Sequence, residues 1–78
     1  MRAAVIVPTY NESKRLASTL ESLIDAGYDV IVVDDGSHDK TRDIVEMYSV
    51  SLLEHVINRG QGAALRTGTE FATRHGYD

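Results

Sequence analysis

The 78-residue chain has no cysteine, a single proline and a single phenylalanine. Without cysteine there is no disulfide and no thiolate metal site, as in proteins of a reducing compartment. Basic residues are outnumbered 8 to 12, giving a formal charge of −4. That balance argues against a general electrostatic grip on nucleic acid or anionic lipid, so any bound nucleotide must be held locally. No stretch approaches the roughly 20 apolar residues needed to span a bilayer. The N-terminal apolar run, Ala3 to Val7, stops at Pro8 and is too short for a signal-peptide core. The chain therefore reads as cytoplasmic, with any anchor to the membrane's cytoplasmic face expected beyond Asp78. Two familiar phosphate loops are also missing. No glycine precedes Gly27, which removes a Gly-x-Gly-x-x-Gly turn, and no glycine is followed by Lys and then Ser or Thr. His38, His55 and His75 lack metal-ligand spacing and any visible partner, and read as structural or surface residues.

What is present alternates between two periodicities. Ala3 to Val7 form a continuous apolar run, expected to be a strand buried on both faces and closed by Pro8. Leu16, Leu20, Leu23 and Ile24 follow at helical spacing, with Asn11 as the expected N-cap and Gly27 as the stop. Val30 to Val33 make a second buried strand, ended by the turn-forming Asp34, Asp35, Gly36 and Ser37. Thr41, Ile44, Val45 and Tyr48 predict a second helix capped by Ser37 or Asp39. A third strand is expected over Val50 to Val56. The last helix starts near Gly62, carries Leu65, Gly68, Phe71 and Ala72 on its inner face, and ends at Gly76.

Three strands alternating with three helices imply right-handed crossovers and a parallel sheet, the N-terminal half of a doubly wound, Rossmann-like α/β fold. In such folds ligands sit beyond the carboxyl ends of the strands, where Pro8 to Glu12 and Asp34 to Ser37 fall in this sequence. An ionised Asp34 there suits a ribose hydroxyl or a base N–H, because a carboxylate only accepts. Each of these residues also has a plainer reading. Glu12 suits a helix start, Asp34 to Ser37 suit a turn and cap, Tyr10 suits packing, and Gly60 and Gly62 suit a tight strand-to-helix connection.

The run Val5 to Glu12, the run Val32 to Ser37 with Asp39 and Thr41, and then Asn58, Gly60 and Gly62 resemble the opening blocks of the family 2 glycosyltransferases. Gly60, Gly62, Ala63, Ala64, Leu65, Arg66 and Gly68 are similar to the subgroup that transfers sugars to polyprenyl phosphates, such as dolichol-phosphate mannosyltransferase. The resemblance implies a GT-A fold and the nucleotide-sugar-binding part of an enzyme that moves a sugar from a nucleoside-diphosphate sugar to an acceptor. It assigns Pro8, Tyr10, Glu12, Val32 and Asp34 to the nucleotide pocket. Position at the strand end adds Asp35 as a candidate ligand contact, and Arg59, otherwise read like Arg66 as a solvated residue, is the candidate neighbour of the diphosphate. It also implies Mg²⁺ or Mn²⁺ held by a spaced pair of aspartates after a fourth strand, expected beyond Asp78 together with the catalytic groups. Residues 1–78 then form a partial GT-A domain without metal ligands, expected to be inactive alone.

Two other classes stay open at this level. A sugar nucleotidyltransferase would want a glycine-rich basic loop after the first strand, and a non-catalytic binding or assembly module would need no metal ligands. The base, uridine or guanosine, is not written in the sequence. A chain this small buries only about 60% of its unfolded surface. With no fourth strand alongside, the isolated segment is expected to self-associate through its uncharged first strand or to fold poorly.

Overall fold

A computed structural model describes residues 3–77. Its elements run β1 (Ala4–Thr9), α1 (Ser13–Asp25), β2 (Asp29–Asp34), α2 (Thr41–Val45), β3 (Ser51–Glu54) and α3 (Gln61–Arg74). The strands are parallel in the order β1-β2-β3, with Val7 opposite Val32 and Val32 opposite Leu52. Side chains along β2 alternate between the faces of the sheet, as strand geometry demands. Val30 and Val32 meet Leu16 and Leu20 of α1 and Val45 of α2, whereas Ile31 and Val33 meet Ala64 of α3. Two thin cores result, one on each face of a central strand whose four apolar residues are at most 4% exposed.

β1 differs from its expected form in two ways. It is half-buried rather than sequestered, because it lies at the sheet edge with β2 as its one strand neighbour among the described residues. It also runs through Pro8 to Thr9. Thr9 turns its peptide groups toward β2, its carbonyl accepting from the Asp35 N–H at 2.8 Å. Groups on successive strand residues point to opposite sides, so the Pro8 nitrogen faces the open edge, where no ladder bond is lost.

Helix ends follow local chemistry. Gly27, at φ +87°, lets the Gly27 N–H reach the Ile24 carbonyl and the Tyr28 N–H reach the Leu23 carbonyl, the paired bonds of a Schellman stop. Asn11 is not the α1 cap. It sits at φ +50° and is tied to the next loop, while Glu12 occupies the cap position without a side-chain bond. Asp39 holds α2, its Oδ1 accepting from both the N–H and the hydroxyl of Thr41; Ser37 does not.

On α3 the inner face is Ala64, Gly68, Phe71 and Ala72, and Leu65 is 44% exposed. Gly68 sets this register: a Cβ there would stand 2.5 Å from Ile6 Cγ2, so the helix lies closer to the sheet than a side chain permits. The residue meeting the strands one turn earlier must then also be small, which selects Ala64 over Leu65. Among the described residues no helix is long and apolar enough to cross a membrane.

Candidate functional site

Parallel strands deliver three loops to one edge of the sheet: 10–12 after β1, 35–40 after β2 and 55–60 after β3. They are stitched together by polar groups. The Asn11 N–H donates to Ser37 Oγ at 2.9 Å, and Asn11 Oδ1 accepts from the His38 N–H at 2.8 Å. The Ser13 N–H donates to Asp39 Oδ2 at 3.3 Å. These bonds explain why Asn11 takes a left-handed conformation that asparagine tolerates.

Asp34 and Asp35 are adjacent and both 4% exposed, yet they turn to opposite faces. Asp34 Oδ1 accepts from the Ser37 N–H at 3.0 Å, closing the turn. Asp35 is the node of the third loop. Its Oδ1 accepts the Arg59 N–H at 2.8 Å, its Oδ2 accepts the Gly60 N–H at 2.8 Å, and His55 Nδ1 lies 2.7 Å from Oδ1. The His55 hydrogen bond above all, then the Arg59 and Gly60 amides, hold the Asp35 carboxyl below the usual aspartate range against the opposing push of burial. Asp39 is lowered likewise, chiefly by the Thr41 hydroxyl.

A cavity of about 330 Å³ opens beside this node, lined by Pro8, Thr9, Tyr10, Glu12, Asp35, Asn58, Gly60, Gln61 and Ala64. Four of the residues expected from the sequence meet there: Pro8, Tyr10, Glu12 and Asp35. Asp34 does not. It lines a separate hollow of about 320 Å³ with Ser37, His38 and Glu54. Val32 is fully buried beneath α1 and α2 and has no surface to offer a ligand, because strand alternation points it into the core. Arg59 contributes its main chain to Asp35 and carries its guanidinium exposed.

The expectation that His55 has no partner is overturned. Its Nε2 lies 2.8 Å from Thr67 Oγ1 on α3, and its side chain is 6% exposed. Position at the end of β3, on the same sheet edge as Asp35, was the one sequence signal for this contact. His75 stacks on Phe71 with ring centroids 4.1 Å apart. Among the described residues no group of three or more His, Asp or Glu is placed to hold a metal ion.

The sequence profile of glycosyl transferase family 2 matches residues 4–75. The chain belongs to that family. Among its relatives, the dolichyl-phosphate beta-glucosyltransferase of Drosophila melanogaster is 41% identical over 86 residues, covering 87% of this chain and 26% of that protein. The undecaprenyl-phosphate mannosyltransferase of Micrococcus luteus is 41% identical over 85 residues, covering 100% of this chain and 35% of its own length. A solved mannosyltransferase of Pyrobaculum calidifontis, in complex with GDP-Man and Mn²⁺, superposes with a TM-score of 0.72 at 33% identity, over 96% of this chain and 24% of that one. The fold is thus the α/β arrangement of the family 2 transferases, and the chain spans about a quarter to a third of the length of the curated relatives it matches.

Proposed function

We propose that residues 1–78 form the base- and ribose-binding part of a GT-A domain in an enzyme that transfers a sugar from a nucleoside-diphosphate sugar to an acceptor. The observation that carries this is the cavity at the strand ends, where an aromatic ring at Tyr10 and an ionised, buried acceptor at Asp35 face one space. An anionic acceptor suits base N–H and ribose O–H donors, and a fixed base holds the anomeric carbon in line for attack. Asp35 Oδ2 retains one lone-pair direction after the Gly60 amide is served. Glu12 and Pro8 line the same cavity. Polyprenyl phosphate is the acceptor class that the named relatives support. Such an acceptor would bring the protein to the cytoplasmic face of a membrane.

A divalent cation, Mg²⁺ or Mn²⁺, would neutralise the leaving diphosphate in this chemistry. We assign its ligands to a spaced pair of aspartates after a fourth strand, beyond the described residues. What this chain supplies is placement of the nucleoside. Calorimetric titration of the protein that carries this chain with UDP and with GDP checks the reading. Saturable binding of one of them is expected; a folded protein that binds neither refutes it.

The open edge of β1 supports a second proposal, that a 78-residue chain pairs with another copy along Ala4–Val7. Those residues carry no charge to discourage it. Light scattering of residues 1–78 over a concentration series is expected to show a rising mean mass. A strictly monomeric species with a cooperative melt would contradict this.

A further inference from the structure

We propose that His55 is a positioning residue of the nucleotide site, fixing the Asp35 carboxylate from behind and with it the 55–60 loop that walls the cavity. The inference rests on the nucleoside-binding reading given above and names a group for which the family profile and the relatives provide no role.

The geometry assigns His55 three attachments. Its N–H donates to the Asp34 carbonyl at 2.8 Å, which carries the β2–β3 ladder one residue past the end of β3. Nδ1 meets Asp35 Oδ1 at 2.7 Å, and because an ionised carboxylate only accepts, Nδ1 must carry the proton. Nε2 meets the Thr67 hydroxyl at 2.8 Å, two turns into α3. The imidazole is therefore a rigid strut between the strand end and the helix, almost wholly shielded from water. Asp35, pinned on one side by this strut, is free to rotate neither away from the cavity nor away from the Arg59 and Gly60 amides that it gathers. Asn58 and Gly60 of that loop, with Gln61 at the start of α3, line the cavity. A buried polar pair of this kind could serve stability alone. What favours a positioning role is that Asp35 presents the same carboxyl group to the cavity and to His55, so any slack in the strut becomes a displacement of the acceptor.

The test compares His55→Leu, which removes both side-chain bonds, with His55→Asn, whose amide can still donate to Asp35, and with Thr67→Val, which loosens the strut while keeping its shape. UDP and GDP affinities are measured on the full protein beside thermal melts, and the Arg59 and Gly60 amide shifts are followed by ¹H–¹⁵N spectra without nucleotide. His55→Leu is expected to weaken whichever nucleotide binds by about tenfold or more. Thr67→Val should weaken it by a few-fold, and His55→Asn should recover most of the loss. Both amides should move in His55→Leu and return in His55→Asn. Affinity that is unchanged in folded His55→Leu and Thr67→Val, with the wild type binding normally, overturns the inference and leaves the nucleotide reading standing. So does affinity that falls only as the folded fraction falls, with the amides of Thr67→Val unmoved. A wild type that binds neither nucleotide removes the nucleotide reading, and this inference with it.

Discussion

Gly36→Ala is expected to destabilise the chain by about 2–4 kcal/mol, among the largest effects that one methyl group can have here. Gly36 sits at φ +81°, where an L side chain alone costs about 1–2 kcal/mol. Its added Cβ would also stand 2.8 Å from the Asn58 nitrogen and 2.9 Å from the Ile57 carbonyl carbon. Both are backbone atoms, so relief requires the 55–60 loop to move as a body. For a domain of this size such a loss lowers the melting temperature by about 10–25 °C. Gly27→Ala separates the two contributions, since Gly27 has a similar φ of +87° but nothing within 4 Å of its would-be Cβ. Thermal melts followed by circular dichroism should place Gly27→Ala at the conformational cost alone. Equal melting temperatures for the two variants would show that the 36–58 contact is slack.

Asp35→Asn should reduce nucleotide affinity by about ten- to a hundredfold, the effect of losing a charged hydrogen-bond acceptor. The substitution also brings an amide donor toward the Arg59 and Gly60 N–H groups, which themselves need an acceptor. Asp34→Asn, facing the other hollow, is expected to cost far less, reversing the order suggested by the sequence. Calorimetry on the two variants decides between them. The acid limb of stability offers a second readout. The folded-state pKa of Asp35 lies below its ordinary value of about 3.9. A depressed carboxyl stabilises the fold above its unfolded value, and that contribution disappears as pH falls through the folded one. Stability should thus decline below about pH 4. The decline should be shallower in Asp35→Asn, with a residue left by Asp39, which is lowered in the same sense. A wild-type stability that stays flat from pH 5 to 2 would exclude the effect.

The layered fold was legible because each strand is a short apolar block and each connection begins with turn chemistry. Val30–Val33 leave no other reading, and Gly27 and Asp39 act at the helix termini where they were expected. Features that depend on what an element meets were not legible. Leu65 and Ala64 fit a helical stripe equally well, and only the approach of Gly68 to Ile6 decides which is buried. Asn11 looks like a cap until the β2–α2 loop is present to claim its side chain. Likewise, two neighbouring aspartates are indistinguishable as letters, and strand alternation sends one to each face. His55 was missed for a related reason: its partners lie 20 positions before it and 12 after it, with no spacing that marks them.

The placement of Pro8 on the outer side of β1 bears on whatever strand is laid against that edge. A neighbour can exchange bonds with Ala4 and Ile6, whose peptide groups share the outward side with Pro8, but Pro8 has no hydrogen to give. A ladder on that side therefore lacks one donor at Pro8, one residue before Thr9. That gap falls beside the cavity that Pro8 and Thr9 help to line. A neighbour that turned away at this point would leave no β1 N–H unpaired beside the cavity, because the Thr9 peptide faces β2 and Pro8 has no hydrogen.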